Sequence, residues 1–578
     1  MIPKPHTQPP RYQWRRHFIL GVIMMGMTSL VIRAAWLQYH QDPRLIKQLR
    51  IQHREVVHQS VARGRILDRR GEILASSAPV RSIGIDKTLF QTSRDSLALL
   101  GNALNIPVSK LLKTLSKKTK SRYLPIKRRV SPAEAQRVAD LGLSGVVIDR
   151  QYDRYYPAGE SSAHLVGFID SNGRGKAGAE QIFDQQLYST AGAYSVIRDR
   201  KRHKLEGIEE LKQPESGIDI TLSIDQRLQY AAYKELKSAM VRHKAKAAAF
   251  VMLDTHSGEI LAMASLPDFN PNNREDRIPD HYRNRSVTDL FEPGSTIKPF
   301  TIACALQAGV ISPDTEFNTA PGYLRVGRHN VRDTHNYKRL NTSGVLRKSS
   351  NVGTTKIALA MEPKILWDCF HRIQLDQKSS VHFPGAVAGH LPAYQGWGQF
   401  EQATHGFGYG LNTSLLQLAH AYTAIANQGI APDLSLLKQT STNSTRILTA
   451  KIAKQILKMM EAVVSTEGTA SRARIPGYRV AGKTGTVQKI IEQGYSHDHH
   501  LALFVGIAPA SHPRFVIAVL VDDPQQGGYY GGVVAAPIFA KVMKQALRLY
   551  AVSPDKASDA IQRIPVPYLI ASNDNLAE

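Results

Sequence analysis

The sequence predicts an α+β fold, and three observations carry that reading. Between about residues 218 and 550, strand patterns cluster at both ends and long helical segments fill the middle, the signature of an antiparallel sheet flanked by helices. Residues 63–217 alternate short strands with short helices, which predicts a separate module of mixed α/β texture. An apolar segment near the amino terminus predicts a transmembrane helix ahead of both. At 578 residues the chain is too long for one hydrophobic core, so several domains are required.

Phe18 to Ile32 is an apolar run of 15 residues behind Arg15, Arg16 and His17. Alone, it fits a signal-peptide core as well as a membrane span. No Ala-x-Ala cleavage pattern follows, and apolar character resumes at Ala34, Ala35, Trp36 and Leu37. Residues 18–39, 22 in all, therefore read as a retained anchor, with Arg33 snorkelling to the interface. Residues 1–17 carry basic side chains and no acid, which suggests a cytoplasmic start. Arg44, Lys47, Arg50 and Arg54 follow the span, however, so the positive-inside count is nearly level.

Residues 40–62 read as a connector, basic and helical over 41–60. In the module that follows, Ser82–Ile85 and Gly145–Ile148 read as strands, Leu97–Leu104 and Pro132–Leu141 as helices, and Gly173, Gly175 and Gly178 as a loop. Gln213 to Gly217 reads as a boundary. Beyond it come a helix at Gln226–Arg242 and strands at Ala248–Leu253 and Glu259–Ala264. Helices are expected at Thr296–Gln307 and Leu415–Asn427, then strands at Tyr478–Val487, Leu501–Ile507 and Phe515–Val521. Residues 551–578 form a polar tail.

The net charge of +26 fits an anionic membrane surface, an anionic polymer or nucleic acid. No nucleic-acid motif is present, so nucleic acid is not expected as a partner. The basic stretch from Lys110 to Arg129 reads as a solvated helix face and loop, with contact to an anionic surface as the sharper alternative. Two cysteines, Cys304 and Cys369, make no disulfide framework, and Cys304 in its apolar run reads as a small core residue. His497, Asp498, His499 and His500 fall in a polar stretch without a supporting ligand set. They read as an exposed loop, and neither metal nor cofactor is expected.

Three short motifs occur in order: Ser295-Thr296-Ile297-Lys298, Ser349-Ser350-Asn351 and Lys483-Thr484-Gly485. Singly they are weak. About two Ser-x-x-Lys matches are expected by composition in a chain this long, and Ser435-Lys438 and Ser553-Lys556 also match. Ser441-Asn443 likewise repeats Ser-x-Asn. Context selects Ser295: it follows Glu292-Pro293-Gly294 and opens a helical pattern, where Lys298 at i+3 shares its face. Serine there also suits a plain helix cap. The helix start adds backbone N–H groups that favour developing negative charge. Gly485 inside a strand marks close approach by another backbone, which suits a peptide laid along the strand edge. A bulge beside a solvated lysine is the bland alternative.

The ordered set is that of penicillin-binding proteins and serine β-lactamases. The chain resembles the class B penicillin-binding proteins over nearly its whole length. Arg63-Gly64-Arg65-Ile66-Leu67-Asp68-Arg69 and Arg154-Tyr155-Tyr156-Pro157-Ala158-Gly159 are similar to two signatures of the family's elongated, non-catalytic pedestal, a dimerisation-type domain. Arg283-Asn284-Arg285, Asp289, Phe291 to Ser295, Tyr409-Gly410-Leu411 and Tyr529 to Gly532 resemble the division-specific FtsI type. No segment resembles a glycosyltransferase.

The resemblance implies a serine D,D-transpeptidase that crosslinks peptidoglycan stem peptides during septal wall synthesis and is acylated by β-lactams. It implies an outward-facing transpeptidase domain (218–550), periplasmic and tethered to the inner membrane, a pedestal at 63–217 and a cytoplasmic amino terminus. Ser295 attacks the D-Ala–D-Ala carbonyl, and Lys298 acts as base with its pKa lowered by burial and by Lys483. Ser349 relays a proton, and Asn351 orients the substrate or Lys298. Lys483, Thr484, Gly485 and Thr486 form the substrate-binding strand. Backbone N–H groups of Ser295 and Thr486 form an oxyanion hole, worth about 3–4 kcal/mol per donor. A bell-shaped pH profile follows. A membrane-embedded glycan polymerase and other division proteins are the implied partners. An elongation-type enzyme, a D,D-carboxypeptidase or β-lactamase, and a non-enzymatic sensor or scaffold remain as alternatives.

Overall fold

The structure, a computed structural model, describes residues 13–39, 54–116, 123–198, 204–273, 278–439, 443–492 and 494–556. Most of the expected connector, residues 117–122 of the basic stretch, Ser441 and the tail beyond 556 lie outside the described residues. Two compact units emerge: Met1–Val61 with Ser189–Glu215, and Ala62–Tyr188 with Ser216–Glu578.

The first unit holds the helix Gln13–Tyr39, 27 residues long with a mean hydropathy of 1.9 over its best window and no buried residue. That length spans a bilayer core of about 30 Å at 1.5 Å per residue. The Arg33 guanidinium lies 4.6 Å over the Trp36 ring, as expected of an interfacial cation. The same unit has a three-stranded antiparallel sheet, with Gly192–Arg198 between Arg54–Gln59 and Lys204–Lys212. Arg54–Gln59 therefore corrects the helical reading of 41–60. Val56 and Val57 favour extended backbone, and register with Ser195 and Tyr194 supplies the ladder.

In the second unit, Ile73–Asp86 organises the amino-terminal module. It pairs antiparallel with Tyr123–Val130, Val146–Tyr155 and Ile66–Leu67, and the last runs parallel to Ile220–Thr221. The helices Arg94–Leu104 and Pro132–Asp140 start at Ser93 and at a Ser131–Glu134 capping box, and they cover Ile83 and Ile85. Arg63 and Arg154 converge on Glu180, with Nε to carboxylate distances of 2.7 and 2.6 Å.

The carboxy-terminal region is built on five antiparallel strands: β1 (Ala247–Asp254), β2 (Ile260–Leu266), β3 (Ala481–Ile491), β4 (Gly494–Ala508) and β5 (Phe515–Asp522). Their order is β2-β1-β5-β4-β3, which leaves β3 at an edge. Every residue of β1 and β2 is buried, so both faces are covered. Gln226–His243 and Ala536–Leu549 pack against each other and the sheet, and Leu415–Ala426 packs on β1 and β5. Between strands run α1 (Lys298–Gln307), α2 (Asn351–Leu359) and α3 (Pro363–Arg372).

Two expectations change here. His497 to His500 belong to β4, not to a loop. The β3–β4 register jumps from Gln488↔His500 to Ile490↔Tyr495, so His497 to His499 fall in a bulge within the hairpin while His500 stays paired. A bulge lacks the period-2 pattern that identifies a strand. Cys304 on α1 and Cys369 on α3 are joined by a disulfide, each only 2% exposed. Sixty-five residues separate them, and α1–α3 packing, which no local pattern encodes, brings them together.

Candidate active site

Ser295 lies on a single 3₁₀ turn, Gly294–Ile297, that leads directly into α1. Gly294 has φ +50°, and a Cβ there would stand 2.5 Å from Val487 Cγ2 of β3, so only glycine lets the turn approach the strand. Its N–H donates to Gly408 O at 2.9 Å, while Thr296 O accepts from the buried Tyr422 hydroxyl at 2.6 Å. The turn is thus fixed from both sides. Ser295 itself is half-buried, and among the described residues its hydroxyl makes no hydrogen bond.

Lys298 begins α1 and is fully buried. Its Nζ donates to Ser349 O at 2.6 Å and Asn351 Oδ1 at 2.7 Å, and approaches Ser349 Oγ at 3.4 Å. Ser349 adopts a left-handed conformation (φ 57°) at the end of helix Thr342–Lys348, and Ser350 caps α2 through Gly353 N at 2.8 Å. The Ser-x-Asn motif is therefore a break between two helices, which turns the Ser349 carbonyl toward Lys298.

Lys483, also fully buried, reaches in from β3 and donates to Ser349 Oγ and Thr484 O, both at 2.9 Å. Thr484 Oγ1 meets Thr469 Oγ1 at 2.9 Å, and Thr486 Oγ1 accepts from Gly531 N at 3.2 Å. A Cβ on Gly485 would stand 2.9 Å from Thr296 Cγ2 and 3.0 Å from Leu503 Cβ. Side chains beneath the strand therefore require this glycine. A backbone also approaches: a Cβ on Gly531 would lie 2.4 Å from Gly485 O.

Burial depresses the Lys298 ammonium to about 7, against a smaller upward pull from Asp333. Lys483 is held well below the ordinary lysine range, first by burial and then by the charge of Lys298. Lys298, Ser349, Asn351 and Lys483 thus form one network beside the Ser295 turn.

Known proteins match this architecture. Residues 248–544 match the penicillin binding protein transpeptidase domain, and residues 58–222 the penicillin-binding protein dimerisation domain. The chain is 38% identical over 563 residues to peptidoglycan D,D-transpeptidase FtsI of Escherichia coli K12, covering 95% of each. It is 39% identical over 571 residues to the probable peptidoglycan D,D-transpeptidase PenA of Neisseria gonorrhoeae, covering 96% of each. This chain belongs to the class B penicillin-binding proteins.

Among solved structures, the apo transpeptidase domain of penicillin-binding protein 3 from Burkholderia pseudomallei covers 58% of this penicillin-binding protein and 98% of its own chain. Its TM-score is 0.54 at 40% identity. A Bifidobacterium adolescentis peptidoglycan synthetase shares the fold, with a TM-score of 0.69 at 24% identity, over 87% of this chain and 98% of its own.

The competing motif matches separate from the site in space. Ser435 Oγ donates to Leu437 O, and Lys438 Nζ donates to Arg69 O at 3.1 Å, so these two make no dyad. Ser553 is exposed after the last helix. Asp333 was not legible as a site residue in this penicillin-binding protein. Its carboxylate accepts from Ser350 Oγ at 2.6 Å, Asn351 N at 2.5 Å and Val352 N at 3.0 Å, so it seats the start of α2. No motif announces it: it follows a short hairpin, Tyr323–Val326 with His329–Arg332, that could equally be surface decoration.

Proposed function

We propose that this chain is a peptidoglycan D,D-transpeptidase of septal wall synthesis that works through an acyl-enzyme on Ser295 and is covalently trapped there by β-lactams. The observation that carries the reading is the hydrogen bonding of Lys298. A neutral amine has two hydrogens and one lone pair. Ser349 O and Asn351 Oδ1 take both hydrogens, which leaves the lone pair for the Ser295 proton. Ser295 then attacks the D-Ala–D-Ala carbonyl, while backbone N–H groups of Ser295 and Thr486 receive the developing oxyanion. Ser349 Oγ accepts from Lys483, so its own hydrogen is available to the departing D-alanine amine. Lys483, Thr484 and Thr486 hold the substrate carboxylate along the free edge of β3, where Gly485 keeps the strand close to the serine turn. A neighbouring stem-peptide amine resolves the acyl-enzyme and completes the crosslink.

The proposed arrangement runs from a cytoplasmic segment (1–17) through an anchor (18–39) and connector (40–62) to the pedestal (63–217), the transpeptidase domain (218–550) and a tail (551–578). The Cys304–Cys369 bond favours placing the catalytic domain outside the inner membrane, in an oxidising compartment. A membrane-embedded glycan polymerase is the proposed partner, on the resemblance to the class B penicillin-binding proteins.

A fluorescent penicillin is expected to label the full-length protein covalently, and Ser295→Ala to abolish labelling. Labelling that survives this change rejects the site. Incubation with a stem peptide and an amine acceptor should give crosslinked product; a purely hydrolysed product would assign a carboxypeptidase instead. A fluorescent fusion confined to the septum is expected, and uniform side-wall signal would reject the division role.

A further inference from the structure

Glu292 lies three residues before Ser295, and its side chain is buried. The chain around it is pinned to one loop. Phe291 and Thr413 exchange both backbone hydrogen bonds at 3.0 Å, and Gly294 N donates to Gly408 O at 2.9 Å. Two further donors converge on a single carboxylate oxygen: Glu292 Oε1 accepts from Gly410 N at 2.7 Å and from the Tyr495 hydroxyl at 2.9 Å. The other oxygen, Oε2, is buried with no hydrogen-bond partner among the described residues. Such an oxygen is costly to keep, and burial pushes the carboxyl above its ordinary range.

Tyr495 occupies a special place in β4. That strand pairs with β5 only from Leu501 onward, whereas Tyr495 pairs with Ile490 of β3 alone. The end of the β3–β4 hairpin thus overhangs the sheet, and the bulge at His497–His499 separates it from the main ladder. Tyr495 ties this overhang back by its bond to Glu292 and by edge-on contact with Tyr409, ring centres 5.5 Å apart. Any shift of the hairpin has little room to dissipate, because Val487 of β3 already fills the space beside Gly294. One carboxylate therefore joins the serine turn, the Gly408–Gly410 loop and, through Tyr495 on β4, the strand paired with the far end of β3, which carries Lys483.

We propose that Glu292 is a positioning residue for acylation: it latches the β3–β4 hairpin to the serine turn and holds the Lys483–Thr486 edge in register with Ser295. The proposal rests on the acyl-enzyme reading above.

The test is penicillin acylation of the full-length protein in detergent, resolved into non-covalent affinity and maximal acylation rate. Tyr495→Phe removes one bond and leaves the fold intact; Glu292→Ala removes both. Each should lower the maximal rate about tenfold, with affinity changed less than about threefold. The double variant should be no slower than Glu292→Ala, because both changes break the same latch. Glu292→Gln keeps an acceptor oxygen and should recover most of the rate. Normal acylation by Tyr495→Phe, or rate losses that simply multiply in the double variant, overturns the latch alone. Failure of the unsubstituted protein to acylate overturns the acyl-enzyme reading and this proposal with it.

Discussion

Lys483 Nζ donates to Ser349 Oγ over 2.9 Å, although 134 positions separate the two residues in the chain. Lys298 approaches the same hydroxyl at 3.4 Å, so two buried amines share one oxygen. Burial disfavours charge on either, and charge on Lys298 disfavours it further on Lys483; the expected lowering of Lys298 is carried by burial, with no part from Lys483. Lys298, lowered to about 7 by burial, is therefore poised as a base near neutral pH. A substrate carboxylate entering beside Lys483 would restore that ammonium without protonating Lys298.

The acylation rate at low β-lactam concentration should rise with pH through about 7, as Lys298 loses its proton. Asp333 is the group that raises the Lys298 pKa. Its negative charge favours the ammonium, so Asp333→Asn lowers that pKa further and moves the rising limb to more acid pH. The same change weakens the seating of Ser350, Asn351 and Val352, so the plateau should fall about tenfold. A pH–rate series on both proteins checks this. A limb that moves to higher pH contradicts the coupling.

Gly485→Ala should separate the two halves of the site. The added methyl meets Thr296 Cγ2 at 2.9 Å and Leu503 Cβ at 3.0 Å. Overpacking of this kind costs about 1–3 kcal/mol, and relief comes most easily by moving the edge strand away from the serine turn. Acylation should fall at least about tenfold. Thr296→Ser, which deletes the opposing methyl but keeps the hydroxyl bonded to Pro293 O, should recover part of the loss in the double variant. Acylation kinetics across the four proteins would measure it.

The legible part of the site was the part carried by short motifs. Ser295 with Lys298, Ser349 with Asn351, and Lys483 with Gly485 are each defined within three or four residues, and their order picked Ser295 and Ser349 out from the decoys at Ser435, Ser553 and Ser441. Asp333 and Glu292 bond partners up to 203 positions away: nothing local marks Asp333, and the Phe291–Ser295 motif contains Glu292 without saying what its carboxylate touches. The same limit governs the fold. Ser82–Ile85 was visible from its apolar alternation, but the strand runs from Ile73 to Asp86 through Ser76, Ser77 and Pro79. Pairing with Val146–Tyr155, not propensity, extends it.

The Cys304–Cys369 bond ties the helix that carries Lys298 to α3 and closes a span of 65 residues. Chain-entropy arguments give about 4 kcal/mol for such a loop. Cys304→Ser with Cys369→Ser should therefore lower the melting temperature by several degrees without changing covalent labelling at 25 °C. Thiol titration offers an independent check: two thiols should appear only under reductant in denaturant, because both sulfurs are buried. Two thiols in denaturant without reductant would refute the bond.

Glu180 gives the sharpest prediction for the amino-terminal module. It is fully buried and holds Arg63 and Arg154 through its two oxygens, linking segments 91 residues apart; Arg63 also pairs with Asp184 at 2.8 Å. Glu180→Ala would leave the Arg154 guanidinium without a counter-ion in the interior while Arg63 keeps Asp184, and breaking a buried ion pair in this way costs about 3–5 kcal/mol. The intact triad need not be worth that much, because its desolvation offsets much of its attraction. Replacing Arg63, Glu180 and Arg154 together by Met should thus destabilise far less than Glu180→Ala alone. Thermal unfolding of the two variants decides the matter. Equal losses would mean that packing, not the unpaired charge, sets the cost.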